Sequence, residues 1–367
     1  MTSWPPPPPP GSTPPGVPPQ MPHWPQASVP PRESRGVAFF VAIFLGILLL
    51  ASAGLNVLLL LLSVGSLAGA GGADSDGVGD EVYVAGERGG PTKILQVPIR
   101  GAIAETQSPV LGAAGGTVTQ VRRALRHAAT EDMQGVLLFI DSPGGGVTDS
   151  DEIYQMLRRF RREHPEKHVM ALFGDMAASG GYYIAAAAER IVARRTTITG
   201  SIGVIMSAWN FAAAAKNLGV DQITIKSERT PWKDILSPTR PMRDEERAML
   251  TGIVDELFDL FVDVVDEGRD NLDRSQVLAV ATGAVYTARQ ALANGLVDEI
   301  GDHETAVAWF AQKLGKPVTI VENRRRTGLA DLLFGATAQK GAVDRSLTSL
   351  LCGSTGPRFL YFWEGGR

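Results

Sequence analysis

The distribution of apolar and polar positions divides the chain into segments of different texture. Residues 36–73 carry no charged side chain, and their centre, residues 37–64, is apolar and long enough to cross a bilayer as a helix. From Lys93 onward, short apolar runs alternate with amphipathic ones. Ile94, Val97 and Ile99 mark a strand. Val118, Val121 and Leu125 recur at helical spacing beside Arg122, Arg123 and Arg126, which predicts a helix over residues 117–130. Residues 135–140 form a continuous apolar run, as expected of a strand buried on both faces. A helix over 149–163 and a second buried strand over 169–173 follow. Strand, glycine turn, helix and strand make a βαβ unit.

The alternation continues with helices over 182–189 and 211–218 and strands over 191–193 and 222–225. A long amphipathic helix spans 243–270, with Met249, Ile253, Leu257, Phe258, Phe261 and Val264 on one side. A helix over 305–314 and a strand over 318–321 close the pattern. The expected division is a proline-rich tail (1–36), a transmembrane helix (37–64), a linker (65–91), one α/β domain (92–323) and a C-terminal tail (324–367).

The tails add little chemistry. Most of the 24 prolines lie in the first segment, including Pro5 to Pro10, so it cannot bury a core and favours extended polyproline II. It is a solvated spacer or a docking site for a proline-binding partner. Arg32 and Arg35 precede the apolar segment, and Asp74, Asp76, Asp80 and Glu81 follow it. The positive-inside rule then places the N-terminus in the cytoplasm and the rest on the outer side. Ala68-Gly69-Ala70 resembles a signal-peptide cleavage site, but the apolar run is much longer than a signal-peptide core. At the other end, the aromatic run Phe359-Leu360-Tyr361-Phe362-Trp363 is either a loosely packed tail or a segment that packs on a neighbouring subunit or a membrane surface.

Composition narrows the chemistry. The 367 residues carry a formal net charge of −4, which gives no reason to expect nucleic acid as a partner. One cysteine, Cys352, allows neither an intrachain disulfide nor a Cys-x-x-Cys site. No metal-binding histidine cluster is present, and no metal or cofactor is expected. Of the five histidines, His23 lies in the proline-rich tail and His127 beside arginines. His164 and His168 lie in a charged loop, and His303 at a helix start. A Ser–His–Asp triad is therefore disfavoured.

Ser179 lies in Ala177-Ala178-Ser179-Gly180-Gly181, between a buried strand and a helix. A serine among small residues at such a turn is accessible, and the helix N-terminus offers free N–H groups to an oxyanion. It could equally be a helix cap. Gly144-Gly145-Gly146 is a second backbone-exposing turn, either a tight connection or an oxyanion donor. If serine is the nucleophile, the base must be a lysine, held neutral by burial and by the lack of a carboxylate partner. Lys233 has Trp232, Ile235 and Leu236 to exclude water, and an extended backbone would turn Asp234 away. Lys167, Lys216 and Lys226 sit in more polar settings. Taken alone, Lys233 could also be an ordinary solvated lysine.

Five ordered motifs resemble the signal peptide peptidase A type of serine protease, peptidase family S49. They are Asp141-Ser142-Pro143-Gly144-Gly145-Gly146; Ala177-Ala178-Ser179-Gly180-Gly181-Tyr182-Tyr183-Ile184; Thr199-Gly200-Ser201-Ile202-Gly203-Val204; Lys233-Asp234-Ile235-Leu236-Ser237-Pro238; and residues 283–291, closing with Gly295-Leu296-Val297-Asp298. The resemblance runs from about Lys93 to Val321. It implies a Clp protease/crotonase-like α/β fold of repeated ββα units. It implies Ser179 as nucleophile, Lys233 as base, Ser201 holding the lysine amine, and Gly145 and Gly180 as oxyanion donors. It also implies a membrane-anchored endopeptidase acting on hydrophobic peptides such as signal-peptide remnants, assembled as a homo-oligomeric ring. The competing expectations are a crotonase-like acyl-CoA enzyme on the same fold, which would need neither Ser179 nor Lys233, and a non-catalytic membrane scaffold.

Overall fold

The structure is a computed structural model and describes residues 35–70, 80–105, 116–130, 132–324 and 359–362. The chain divides into two compact units, Met1–Asp74 and Ser75–Arg367. The proline-rich tail lies outside the described residues.

The first unit contains one helix, α1 (Arg35–Ala70). Within it Phe39–Leu59 is long and apolar enough to cross a membrane. Its 21 residues rise about 31 Å at 1.5 Å each, which matches a hydrocarbon core of about 30 Å.

The second unit is built on a sheet of nine strands among the described residues. They are β1 (Asp80–Gly86), β2 (Lys93–Arg100), β3 (Met133–Ser142), β5 (His168–Ala178), β6 (Arg190–Ala193), β7 (Ile198–Gly200), β9 (Val285–Thr287), β10 (Glu299–Ile300) and β11 (Thr319–Arg324). The main order is β1-β11-β2-β3-β5-β6-β10, parallel throughout except for the antiparallel pair β1 and β11. A second sheet joins β4 (Gly144–Gly146), β8 (Ile205–Met206) and β12 (Phe359–Phe362) in the order β4-β12-β8.

Strands covered on both faces must be apolar on both faces, and β3 illustrates this. Val136, Leu138 and Ile140 enter the larger core. That core also takes in residues of α2 (Thr117–Ala128), α3 (Val147–Glu163), α4 (Gly180–Ala185) and α6 (Asp244–Gly268). Leu137 and Phe139, between them, enter a smaller core with Ala306 and Phe310 of α9 (His303–Leu314). Each such side chain contributes about 1.5–3 kcal/mol by leaving water. Three short helices complete the unit: α5 (Ala212–Asn217), α7 (Arg274–Val280) and α8 (Ala288–Ala293).

Several expectations are amended. The strand expected over 169–173 runs on to Ala178, because its first half pairs with β6 and its second half, Met176–Ala178, pairs with β7. Part of the stretch read as linker is β1, held by its pairing with β11. Residues 222–225 form no strand; Ile223 and Ile225 are 88% and 94% exposed, and no sheet edge lies beside them to satisfy a strand's backbone. The C-terminal aromatic run contributes β12, paired on both sides.

Candidate active site

The length of β5 is what positions Ser179. Two register-matched pairings carry the strand past the sheet's centre: Ala177 sits opposite Ser142 of β3 and Thr199 of β7. The Thr199 hydroxyl reinforces this by donating to the Ala177 carbonyl at 2.6 Å. One residue later the chain must reverse into α4, and Ser179 takes the turn with φ +53° and ψ −115°. A non-glycine residue in such a conformation costs on the order of 1–3 kcal/mol, and it persists only because its neighbours hold it. The Ser179 amide donates to the Gly200 carbonyl at 2.8 Å, and the Ser179 carbonyl accepts from the Tyr183 amide at 2.9 Å.

The Ser179 hydroxyl makes no capping hydrogen bond. Its oxygen is buried without a hydrogen-bond partner among the described residues. A buried, unpaired hydroxyl costs about 1–3 kcal/mol. A helix-cap role does not explain it; a nucleophile awaiting a base and a substrate does.

The glycine turn lies next to α4, as β4. Ile103 donates from its amide to the Gly144 carbonyl and accepts at its carbonyl from the Gly146 amide, both at 2.9 Å. Alternation along a strand therefore turns the N–H and C=O of Gly145 the other way, toward β12. Glycine is required here, since a Cβ on Gly145 would collide with the Ile103 backbone. Ser142, which sequence reasoning quoted only as part of a motif, props the turn. Its hydroxyl donates to the Gly101 carbonyl at 2.6 Å and accepts from the Gly144 amide at 3.1 Å. Gly180 is buried as the first residue of α4, where a helix amide has no intrahelical acceptor.

Ser201 follows Gly200 at the end of β7. It also has a positive φ, +52°, is 7% exposed, and its amide donates to the Ala284 carbonyl at 2.7 Å. The structure thus brings Ser179, Ser201, Gly180 and the Gly144–Gly146 strand into one neighbourhood.

Lys233 is not brought to hydrogen-bonding distance of Ser179 within one chain. It lies on consecutive turns over residues 231–236, not on an extended segment, and is exposed. Trp232 is itself 44% exposed and does not shield it. The other half of the expectation holds. Asp234 turns to Lys226, Arg240 and Arg243, and no carboxylate pairs with Lys233 among the described residues. Arg240 and Arg243 also grip the buried Glu246 at the start of α6. The hydrogen bond from Arg240 is the main reason that the Glu246 carboxyl is held down to about 2. This cluster anchors the turns that carry Lys233, and the sequence offered only alternating charges as a sign of it.

Histidines are engaged elsewhere. His168 pairs with Glu189 at 2.9 Å, and His303 bonds to Gln96 at 2.8 Å, with its imidazole pushed down by burial. None of them partners the Ser179 hydroxyl.

Comparison with known proteins agrees with this arrangement. The family model described as peptidase family S49 matches residues 161–316. A putative protease of Synechocystis is 40% identical over 223 residues, which is 61% of this chain and 75% of that protein. A putative signal peptide peptidase SppA of Enterococcus faecium is 35% identical over 250 residues, 66% of this chain and 70% of that protein. A chloroplastic serine protease SPPA of Arabidopsis thaliana is 31% identical over 281 residues, 74% of this chain but 41% of the plant protein.

Proposed function

Because this chain belongs to peptidase family S49 and is a serine-type peptidase, we propose that it is a membrane-anchored endopeptidase with a Ser179–Lys233 dyad, acting on hydrophobic peptides. The observation that carries this reading is the buried, unpartnered hydroxyl of Ser179 on a strained turn beside β4. With peptidase chemistry as premise, an acyl-CoA enzyme and a non-catalytic scaffold both give way.

In the proposed reaction the Ser179 oxygen attacks the carbonyl carbon of the scissile peptide, and its proton passes to neutral Lys233. The amides of Gly145 and Gly180 donate to the resulting oxyanion. Collapse breaks the C–N bond, and the lysine returns the proton to the leaving amine. Water, deprotonated by the same lysine, then releases the acyl group from Ser179. Ser201 would orient the lysine amine. No step calls for a metal or cofactor.

Two features support completion of the site by another copy of the chain, in a homo-oligomeric ring. Lys233 is exposed in a single chain, although a lysine base must be kept from water. Its surroundings expose Trp209, Phe211, Ile223 and Ile225, and the stripe on α6 exposes Met249 and Ile253. A cleft of about 460 Å³ bounded by Met206, Leu236, Pro241 and Met242 supports apolar peptides as substrates. The segment Phe39–Leu59 supports single-span anchoring, and the charges on either side of it support a cytoplasmic N-terminus with the catalytic unit outside.

The test is hydrolysis of a hydrophobic peptide by the intact protein and by Ser179→Ala. The expected loss is about a thousand-fold or more, with folding unchanged. Activity retained above a few percent of the intact protein's would remove Ser179 from the reaction.

A further inference from the structure

The second sheet is completed by the chain's own C-terminal region. β12 pairs antiparallel with β4 in the register Leu360–Gly146, Tyr361–Gly145 and Phe362–Gly144. On its other side it pairs antiparallel with β8, Phe359 opposite Met206 and Leu360 opposite Ile205. It also lies against α4, whose first turn follows Ser179. Without β12, β4 and β8 would each present an unpaired backbone edge to a gap one strand wide. Gly145 is the residue whose N–H and C=O face that gap, because Gly144 and Gly146 spend theirs on Ile103.

A gap one strand wide, bordered by two strand edges and ending near a nucleophile, has the geometry for receiving an extended peptide by strand addition. The residues that fill it are strand formers, two phenylalanines, a leucine and a tyrosine. We propose that Phe359–Phe362 is a built-in occupant of the peptide-binding groove, which must leave before a substrate strand can enter. This rests on the Ser179 assignment only for calling the groove the substrate's; the pairing itself does not depend on it. Occupation engages the Gly145 N–H, which the proposed reaction needs for the oxyanion, so a chain with β12 seated is both blocked and short of a donor. A segment carried on the same chain competes at an effective concentration that reaches the order of millimolar for short tethers. Restraint is therefore released by displacement, by abundant or tightly binding peptide, and not by a change in the catalytic residues.

Two variants test this: a chain ending at Pro357, and the full chain with Leu360→Pro, which removes an amide and the strand geometry in the middle of β12. In a Ser179→Ala background, a fluorescent peptide of sequence Arg-Phe-Leu-Tyr-Phe-Trp should bind both variants at least ten-fold more tightly than it binds the otherwise unaltered chain. Equal binding by all three overturns the proposal whether or not the protein cleaves anything. With Ser179 intact, both variants should show a several-fold lower KM for a hydrophobic peptide at unchanged kcat, and the hexapeptide should inhibit them competitively. If no form cleaves peptide, the proposed function fails while the binding comparison still decides occupancy. If mass measurement shows that the chain with Ser179 sheds β12 and the Ser179→Ala chain keeps it, β12 is a substrate and the restraint is disproved. The full-length Leu360→Pro chain guards against misfolding of the shortened one.

Discussion

The amide of Ser179 donates to the carbonyl of Gly200 at 2.8 Å, and this one bond sets the spacing between the two serines of the site. Ser179 ends β5 and Ser201 follows β7, so their separation is fixed by the pairing of Met176–Ala178 with Ile198–Gly200 and not by any side-chain contact. Both serines hold a positive φ, +53° and +52°. Two strained residues at adjacent strand ends are stable because the sheet below them is rigid and fully buried. The consequences below depend on that rigidity and on the segments that approach it.

Gly145→Ala should damage both stability and turnover. The added Cβ meets the Ile103 backbone, which cannot swing aside as a side chain would. Overpacking of this kind costs about 1–3 kcal/mol. It also pushes the Gly145 amide away from the proposed oxyanion position. Thermal unfolding and kcat/KM should both fall, and wild-type turnover in a destabilised protein would remove the amide from catalysis.

Lys233→Arg should be as inactive as Lys233→Ala, because a guanidinium does not give up its proton. If the dyad is assembled between copies, mixing inactive Ser179→Ala and Lys233→Ala proteins under conditions of subunit exchange should restore part of the activity. Exchange demonstrated by mass measurement without any recovery would place both residues in one chain. An active arginine variant would exclude Lys233 as base.

Glu246→Gln should destabilise the protein at neutral pH, with the deficit vanishing in acid. The folded carboxyl sits at about 2, well below its ordinary 4.5, chiefly through the hydrogen bond from Arg240. A carboxyl depressed by folding stabilises the folded state above its unfolded value. That contribution is lost as pH falls from about 4.5 toward 2. Thermal unfolding of both proteins across this window should show the curves converging as pH drops. A constant gap would mean that packing, not charge, holds the Lys233 turns.

A reporter fused before Met21 should remain in the cytoplasm, and one fused after Asp80 should be exported. Arg32 and Arg35 before the span, against four acidic residues after it, set this direction. Protection of the second reporter inside intact cells would reverse the orientation.

Much of the catalytic unit was legible because buried parallel strands must be apolar on both faces. Residues 135–140 announced β3, and the helical spacing of Val118, Val121 and Leu125 announced α2. The Ser179 turn was legible for the same reason: small residues after an apolar run leave few other structures. What escaped depended on partners far along the chain. Nothing local says that Gly174–Ala178 continues β5, since β7 supplies the reason. Val82 and Val84 alternate as strand residues should, but flanking glycines and acids masked them until β11 was seen to pair with them. The opposite error arose at residues 222–225, where Ile223 and Ile225 alternate correctly and find no strand to join. Lys233 was chosen for apolar neighbours that shield nothing in a single chain, and only the part about Asp234 followed from local chemistry.

The ends of the nine-stranded sheet differ from its middle. One end is β10, two residues long; the other is β1, which opens on Asp80 and Glu81 and is broken in register between Tyr83 and Ala85. Short, charged and irregular edges make poor templates for a further strand. A protein that exposes apolar side chains beside a sheet is at risk of growing into fibres, and here the backbone at both ends discourages it. Neighbouring molecules are left to meet through side-chain surfaces, whose shape can close an assembly at a finite size.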